Sequence, residues 1–167
     1  PTLLKSFAID KMLVLAGTVA IIAGSISALK QEELKRRLAF STVAQMGYIF
    51  LGLGLVNTRG LTGTLFYLAS HAVIKSTLFL AAGAMIAATG KKNINELAGI
   101  GRKMPITATA FTIGSLGLIG IPLFSGFIGK WNLLLGGLEA GTILPIIVII
   151  AGSIFCAAYL LPVIRIA

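Results

Sequence analysis

The stretch from 106 to 137 constrains the fold more than any other part of the sequence. It carries one charged side chain, Lys130, in an otherwise uncharged and mostly apolar run. A helix of about 20 apolar residues is enough to cross the hydrocarbon core of a bilayer, so a run of this length is typical of a membrane span. A lysine at that depth is energetically costly and therefore indicates a functional site.

The same stretch is predicted to be interrupted. Pro122 lacks a backbone N–H, and Gly120, Gly126 and Gly129 lower helix stability on either side of it. A break at membrane depth frees backbone polar groups, which is tolerated where protein or water satisfies them. Discontinuous helices of this kind recur at the ion and substrate sites of transporters. We therefore predict a helix break near 120–126, marked by Pro122 and Gly126.

Composition places the rest of the chain in the membrane class as well. Of the 167 residues, 57% are hydrophobic and 11% are charged. The long segments are apolar nearly all round, whereas the helices of a soluble domain are amphipathic. We expect an all-α, multi-pass transmembrane helical bundle that forms a single domain of about five spans. The predicted spans cover residues 12–29, 38–56, 61–89, 106–137 and 142–166.

The net charge of +9 also fits a membrane protein better than a nucleic-acid-binding protein. Most basic residues lie in short runs between apolar spans, and no basic stretch is interleaved with exposed aromatic residues, so we expect no nucleic-acid partner. Loops 30–37 and 90–104 carry four basic residues each, whereas the loops after spans two and four share only Arg59. The positive-inside rule predicts that loops 30–37 and 90–104 are cytoplasmic in a cell (inner or plasma) membrane, although Lys5 and Lys11 fall on the other side.

Two further ionisable residues lie deep in the third predicted span. His71 and Lys75 are four residues apart, so they share one helical face at a separation of roughly 6 Å. Together with Lys130 they form a candidate proton relay. A metal site is less favoured, because no carboxylate or second histidine accompanies His71. The alternatives are a histidine that only packs and hydrogen-bonds, and lysines that snorkel to the interface or pair with a partner's acid.

The second predicted span carries a polar face. Ser41, Gln45 and Tyr48 recur at i, i+4 and i+7, which places them on one side of a helix. This side is expected to point into the bundle rather than toward lipid. With Ser125, which lies beside the predicted break, these residues are candidate supporting polar groups for the relay.

The sequence predicts no cofactor site. The single cysteine, Cys156, cannot form an internal disulfide or a multi-cysteine metal site, and no paired histidines or dinucleotide-binding glycine motif is present. We therefore do not expect the chain to catalyse a redox reaction by itself. Because it begins at Pro1 and has no signal-peptide pattern, we interpret the chain as a piece of a longer protein.

Three segments of the chain resemble the antiporter-like membrane subunits. They are LKRRLAFSTVAQMGY at 34–48, HAVIKSTLFL at 71–80 and GIPLFSGFIGKW at 120–131. This family includes the three large proton-pumping subunits of respiratory complex I, the Mrp-type cation/proton antiporter subunits and subunits of membrane-bound hydrogenases. The order and spacing of the segments match over nearly the whole chain, although the match does not distinguish these subfamilies.

The resemblance implies that the chain corresponds to the second of two inverted five-helix repeats. Lys130 would be the ionisable residue of that repeat's half-channel, and His71 and Lys75 would link it to a central hydrophilic axis. The implied partners are the lipid bilayer and other membrane subunits of a complex, including the first repeat. The expected function is proton translocation through buried Lys and His side chains and water. Na⁺ remains an alternative ion, and a structural module that packs against partner subunits is an alternative function.

Overall fold

The computed structural model describes residues 8–166, and these residues are predominantly α-helical, without a β-strand. The prediction of an all-α helical bundle is confirmed. The position of Lys5 lies outside the described residues. The helices are α1 (Ile9–Lys30), α2 (Leu34–Gly54), α3 (Thr58–Thr89), α4 (Ile100–Lys103), α5 (Pro105–Ile119), α6 (Ser125–Glu139) and α7 (Ile143–Ile166), with a 3₁₀ turn at Ile94–Leu97.

Three helices of the described range, α1, α3 and α7, are long and apolar enough to cross a membrane. Helix α2 is of similar length but begins with the basic run that contains Lys35, Arg36 and Arg37. Helices α5 and α6 have 15 residues each and follow one another across a break. The predicted discontinuous fourth helix is therefore confirmed, whereas the count of five membrane spans stays a prediction.

The two basic loops, 30–37 and 90–104, meet at one end of the bundle, which we call the basic end. The backbone N–H of Leu34 donates to the carbonyl of Lys92 at 3.1 Å. The N–H of Gly99 donates at 3.0 Å to the carbonyl of the last residue of α7. These bonds join the loops to each other and to the end of the last helix, so both loops lie on the same side of the bundle.

The opposite end is held by the residues that start α3 and end α6. The Asn57 side chain caps α3 by accepting from the N–H of Gly60 at 2.7 Å, and it donates to the carbonyl of Gly136 at 2.7 Å. Arg59 and Glu139 form an ion pair across the same junction at 3.3 Å. The start of α3 is thereby fixed beside the end of α6, away from the basic end.

Close helix packing depends on glycines at the contacts between helices. A Cβ on Gly126 would lie 2.0 Å from the carbonyl oxygen of Gly117, so the two halves of the broken helix approach each other through bare backbone. A Cβ on Gly129 would lie 2.9 Å from the side chain of Tyr67. Small residues at interfaces let membrane helices approach closely, and here they bring α6 against both α5 and α3.

The contact at Gly126 should be sensitive to a single methyl group. We expect Gly126→Ala to lower the free energy of unfolding in detergent by about 1–3 kcal/mol, because the new Cβ meets rigid backbone. The matched control is Gly83→Ala in α3, where a Cβ would meet nothing within 4 Å. That change should be neutral or stabilising by about 0.5–1 kcal/mol. Equal effects of the two substitutions would contradict the close approach.

Candidate ion site at the broken helix

Helix α5 ends in a left-handed glycine. Gly120 has φ 88° and ψ 45°, and its N–H donates to the carbonyl of Leu116 at 3.1 Å. A residue at this position adopts a conformation that glycine reaches without steric cost, which is a common way to end a helix. Pro122 follows in the exposed connection, and α6 begins at Ser125. The predicted break near 120–126 therefore lies between Ile119 and Ser125.

Lys130 reaches back from the second turn of α6 to the open end of α5. Its Nζ donates to the carbonyl oxygens of Leu118 at 3.0 Å and Ile119 at 2.9 Å. The residue is only 4% exposed. The last carbonyls of a helix have no partner within the helix and carry partial negative charge, so a cation is stabilising there. Neither of the two ion pairs among residues 8–166 involves Lys130.

Two tyrosine rings complete the surroundings of this amine. The Lys130 Nζ lies 4.8 Å from the centroid of the Tyr48 ring and 5.9 Å from that of Tyr67. Both rings are buried and lie 5.5 Å apart. The faces of aromatic rings attract cations at such distances. Two carbonyl oxygens and two ring faces thus surround the ammonium group of Lys130.

Lys75 occupies a second, separate site on α3. Its Nζ donates to the carbonyl of Leu38 at 2.8 Å and to the hydroxyl of Ser41. The Ser41 hydroxyl in turn donates to the carbonyl of Leu38 at 2.8 Å. Lys75 is 7% exposed. Ser41, a candidate supporting residue from the sequence, is therefore a direct partner of a buried lysine.

Gln45 lies one helical turn beyond Ser41 on α2 and connects three helices. Its Oε1 accepts a hydrogen bond from the hydroxyl of Tyr67 on α3. Its Nε2 lies 3.3 Å from the hydroxyl of Tyr159 and 3.5 Å from the sulfur of Cys156, both on α7. The polar face of Ser41, Gln45 and Tyr48 is buried inside the chain, and the Tyr48 hydroxyl lies 3.4 Å from the carbonyl of Ile149.

His71 lies between Tyr67 and Lys75 on the same face of α3. Its ring stacks on that of Tyr67, with centroids 6.3 Å apart and an interplanar angle of 23°. The residue is 4% exposed, and its Nδ1 has no hydrogen-bond partner among the described residues. A buried ring nitrogen without a protein partner is a position where a water molecule would complete the hydrogen bonding.

Ser125 is the predicted supporting residue that the structure does not bring into this cluster. It begins α6 on the exposed surface of the chain, whereas the two partners of Lys130 are backbone carbonyls. Gly126, the next residue, is buried against α5. The helix restart therefore contributes a close backbone contact at Gly126.

Sequence reasoning missed Tyr67 and Tyr159, the two tyrosines that bond to Gln45. Tyr67 precedes His71 by four residues and Lys75 by eight, so helical spacing on α3 could have found it. Tyr159 and Cys156 lie three residues apart in the last apolar segment. This spacing was the only signal in the sequence for Tyr159, and it is a weak one because most of the neighbouring residues are apolar.

Comparison with known proteins identifies the family. Residues 2–156 match the profile of the family described as NADH:quinone oxidoreductase/Mrp antiporter, TM. The chain belongs to this family. It is 44% identical over 145 residues to NADH-quinone oxidoreductase subunit N of Desulforudis audaxviator (strain MP104C), an alignment that covers 87% of this chain and 29% of that relative. The resemblance to antiporter-like membrane subunits is therefore confirmed.

Solved structures of family members share the arrangement of helices. The chain resembles one in the Mrp complex from Dietzia sp. DQ12-45-1b with a TM-score of 0.89 and 34% identity, covering 92% of this chain and 29% of that one. It also resembles a chain of the membrane-bound sulfane sulfur reductase, an archaeal respiratory membrane complex, with a TM-score of 0.90 and 30% identity. That match covers 95% of this chain and 33% of the other. The chain thus spans about a third of the length of these family members.

The bonds of Gln45 predict a measurable coupling between α2 and α3. We expect Gln45→Leu to lower the free energy of unfolding by about 1–3 kcal/mol for each tyrosine hydroxyl left without a partner. Because Tyr67→Phe removes one of those hydroxyls, the double variant should lose less than the sum of the single losses, by about 0.5–3 kcal/mol. Chemical unfolding in detergent micelles measures both quantities.

Gln31→Leu is the matched control, because Gln31 lies half-buried at the basic end and its side chain donates to the carbonyl of Ser27 in the preceding turn, with no hydrogen bond to another helix among residues 8–166. Its effect should stay within about 0.5 kcal/mol and should add to that of Tyr67→Phe. Additive losses for the Gln45 and Tyr67 pair would contradict the bond between them.

Proposed function

We propose that this chain is part of an ion-translocating, antiporter-like membrane subunit and that it moves protons. The relay consists of Lys130, Lys75 and His71, assisted by water. The observation that carries the proposal is the amine of Lys130 bound to the open carbonyl end of α5 at 3.0 and 2.9 Å. Ionisable residues inside a membrane and discontinuous helices both mark ion pathways in transport proteins.

Polar groups that lie near each of the two lysines support a proton path. Lys75 bonds to Ser41, and one turn further along α2 Gln45 bonds to Tyr67, whose ring faces Lys130. Hydroxyl groups both donate and accept hydrogen bonds, so Ser41 and Tyr67 suit a proton path. The amide of Gln45 orients the tyrosine hydroxyls, and water at the Nδ1 of His71 would extend the path along α3.

A change of charge at Lys130 would also alter the conformation around the break. The protonated amine attracts the carbonyl end of α5 more strongly than a neutral amine does, because the helix end carries partial negative charge. Gain or loss of one proton therefore biases the distance between the two half-helices. Such a two-state element could couple proton transfer to structural change in neighbouring subunits.

The proposed partners are other membrane subunits of a larger complex. We infer that the chain, residues 1–167, corresponds to the second five-helix repeat of an antiporter-like subunit and works with the first repeat. The chain covers 29% of the subunit of Desulforudis audaxviator, so it matches only part of such a subunit. The relatives are named as parts of NADH-quinone oxidoreductase and Mrp complexes. Coupling of proton movement to an activity of that kind would therefore be a property of the whole complex.

Protons fit the buried groups better than Na⁺ does. The buried polar side chains of residues 8–166 are amines, an imidazole, an amide and hydroxyls. A sodium ion is best held by oxygen ligands that include a carboxylate, because the carboxylate balances its charge. This buried set contains no carboxylate. The second candidate function, a structural membrane module, is favoured by one observation: the amine of Lys130 has two protein hydrogen-bond acceptors, as a helix-capping residue would.

Replacing Lys130 separates the two functions. In the full assembly reconstituted into vesicles, we expect Lys130→Ala and Lys130→Met to reduce ion pumping by about 100-fold or more, since positioned proton transfer contributes about 10²–10⁴-fold. Pumping would be followed with pH- and potential-sensitive dyes. Lys91→Ala, which removes an exposed lysine at the basic end, should pump normally. Unchanged pumping by the Lys130 variants would favour the structural module, and dependence on added Na⁺ would favour the alternative ion.

We also propose that the protein lies in the cell (inner or plasma) membrane with the basic end in the cytoplasm. The observation behind this is that loops 30–37 and 90–104 share one end of the bundle, whereas Arg59 lies at the other. A membrane-impermeant maleimide should label Lys91→Cys from the cytoplasmic face and Arg59→Cys from the opposite face. The buried Cys156 of the parent should stay unlabelled. Labelling with the faces exchanged would refute this orientation.

A further inference from the structure

A cleft opens at the end of the bundle opposite the basic end. It has a volume of about 620 Å³ and is lined where α1 and α7 begin and where α2 and α6 end. Asp10, Lys11 and Glu139 are its charged residues, and much of the remaining lining is apolar. We propose that this headgroup cleft binds an aminophospholipid, with the ammonium of the lipid at Asp10 and its phosphate at Lys11. Lipid binding goes beyond the proposed transport function and does not depend on it.

The headgroup cleft lies at the depth of lipid headgroups. Helix α1 has 22 residues. At 1.5 Å per residue it is about 33 Å long, slightly more than the hydrocarbon core of about 30 Å. Its last residue, Lys30, belongs to the basic end, so its first turn lies at the opposite boundary of the membrane. Asp10 and Lys11 in that turn are therefore placed beside the polar ends of lipids.

Asp10 supplies the negative side of the site. Its Oδ1 is buried and has no hydrogen-bond partner among residues 8–166. A buried carboxylate oxygen without a donor is unfavourable, so a ligand that carries N–H groups is stabilised there. The end of α2 lies close by, because a Cβ on Gly54 would be 2.8 Å from the carbonyl oxygen of Asp10. The last carbonyls of a helix carry partial negative charge and add to the attraction for a cation.

Lys11 supplies the positive side of the site. It follows Asp10 on α1, lines the cleft and is exposed. The ammonium group of a lysine binds phosphate oxygens through charge-assisted hydrogen bonds. One carboxylate and one ammonium at neighbouring positions are complementary to a zwitterion that carries an ammonium and a phosphate a few bonds apart.

The acyl chains of such a lipid have an apolar surface to follow. Leu15 and Leu144 line the cleft on α1 and α7, and both are exposed. Exposed apolar residues then continue along α1 in steps of four, three and four residues, which places them on one face of the helix: Leu15, Val19, Ile22 and Ile26. A lipid with its headgroup in the cleft can therefore lay a chain along this stripe.

The charged groups also select the kind of headgroup. Glu139 is already paired with Arg59 at 3.3 Å, which leaves Asp10 and Lys11 to face the ligand. An anionic headgroup such as phosphatidylglycerol would bind Lys11 but leave Asp10 without a partner. Phosphatidylcholine is zwitterionic, but its quaternary ammonium has no N–H to donate to Oδ1 of Asp10. A primary ammonium has three donors, so the site favours phosphatidylethanolamine.

The test is a lipid titration of the full membrane complex in detergent. Thermal unfolding is followed as phosphatidylethanolamine, phosphatidylcholine or phosphatidylglycerol with the same acyl chains is added. We expect phosphatidylethanolamine to raise the unfolding temperature most, in a saturable manner, because a ligand that binds only the folded state stabilises it. Asp10→Asn should raise the half-maximal concentration of phosphatidylethanolamine by about 10-fold or more, since hydrogen bonds to charged groups are the strong ones.

The matched control is Glu96→Gln, which neutralises an exposed carboxylate at the basic end and should keep the native preference. The proposal is overturned if phosphatidylcholine or phosphatidylglycerol stabilises the native complex as well as phosphatidylethanolamine does. It is also overturned if Asp10→Asn keeps the preference or if Glu96→Gln loses it equally. If Asp10→Asn does not assemble, Lys11→Gln at the exposed neighbouring position is titrated in its place, and the same results decide.

A soluble headgroup separates a lipid from a free small molecule as the occupant. Glycerophosphoethanolamine has the same ammonium and phosphate but no acyl chains to pack on the stripe of α1. At the lipid concentrations used, it should leave the unfolding temperature of the native complex unchanged. Stabilisation equal to that by phosphatidylethanolamine would overturn the assignment to a lipid.

Discussion

The bond between the Lys130 ammonium and the end of α5 is the interaction on which the rest of the structure depends. A helix that stops inside a membrane leaves carbonyl groups whose burial without a partner costs several kcal/mol. A buried ammonium without a partner is also unfavourable. Each group satisfies the other, at 3.0 Å to Leu118 and 2.9 Å to Ile119. The break and the lysine therefore stabilise each other, and the glycine contacts at Gly126 and Gly129 bring the two together.

Lys130 also lies beside a buried group of polar side chains that joins three helices. Gln45 bonds to tyrosines on α3 and α7, and the Tyr67 ring lies beside both His71 and the Lys130 amine. Polar groups buried in a low-dielectric interior interact strongly and hold one another in place. Movement at the break would be felt through Tyr67 by the face of α3 that carries Lys75. Tyr67 thus lies between the Lys130 amine and the face of α3 that carries His71.

Much of this organisation could be predicted from the sequence because its causes are local. Pro122 and the flanking glycines predict the break, and the spacing of Ser41, Gln45 and Tyr48 predicts a polar face, which the structure buries. The exact partners could not be predicted. Lys130 bonds to the carbonyls of Leu118 and Ile119 because α6 lies close to the end of α5. The same packing of the two helices leaves Ser125 exposed. Tyr159 was missed because its role arises only when α7 packs beside α2.

The bond between Lys130 and the end of α5 is tested most directly by an electron cryo-microscopy map of the assembled complex at a resolution that shows side chains around the break. We expect density for the Lys130 amine within hydrogen-bonding distance of the carbonyl oxygens of Leu118 and Ile119. A continuous helix through 119–125, or an amine of Lys130 directed into lipid with the two carbonyls bonded elsewhere, would contradict it.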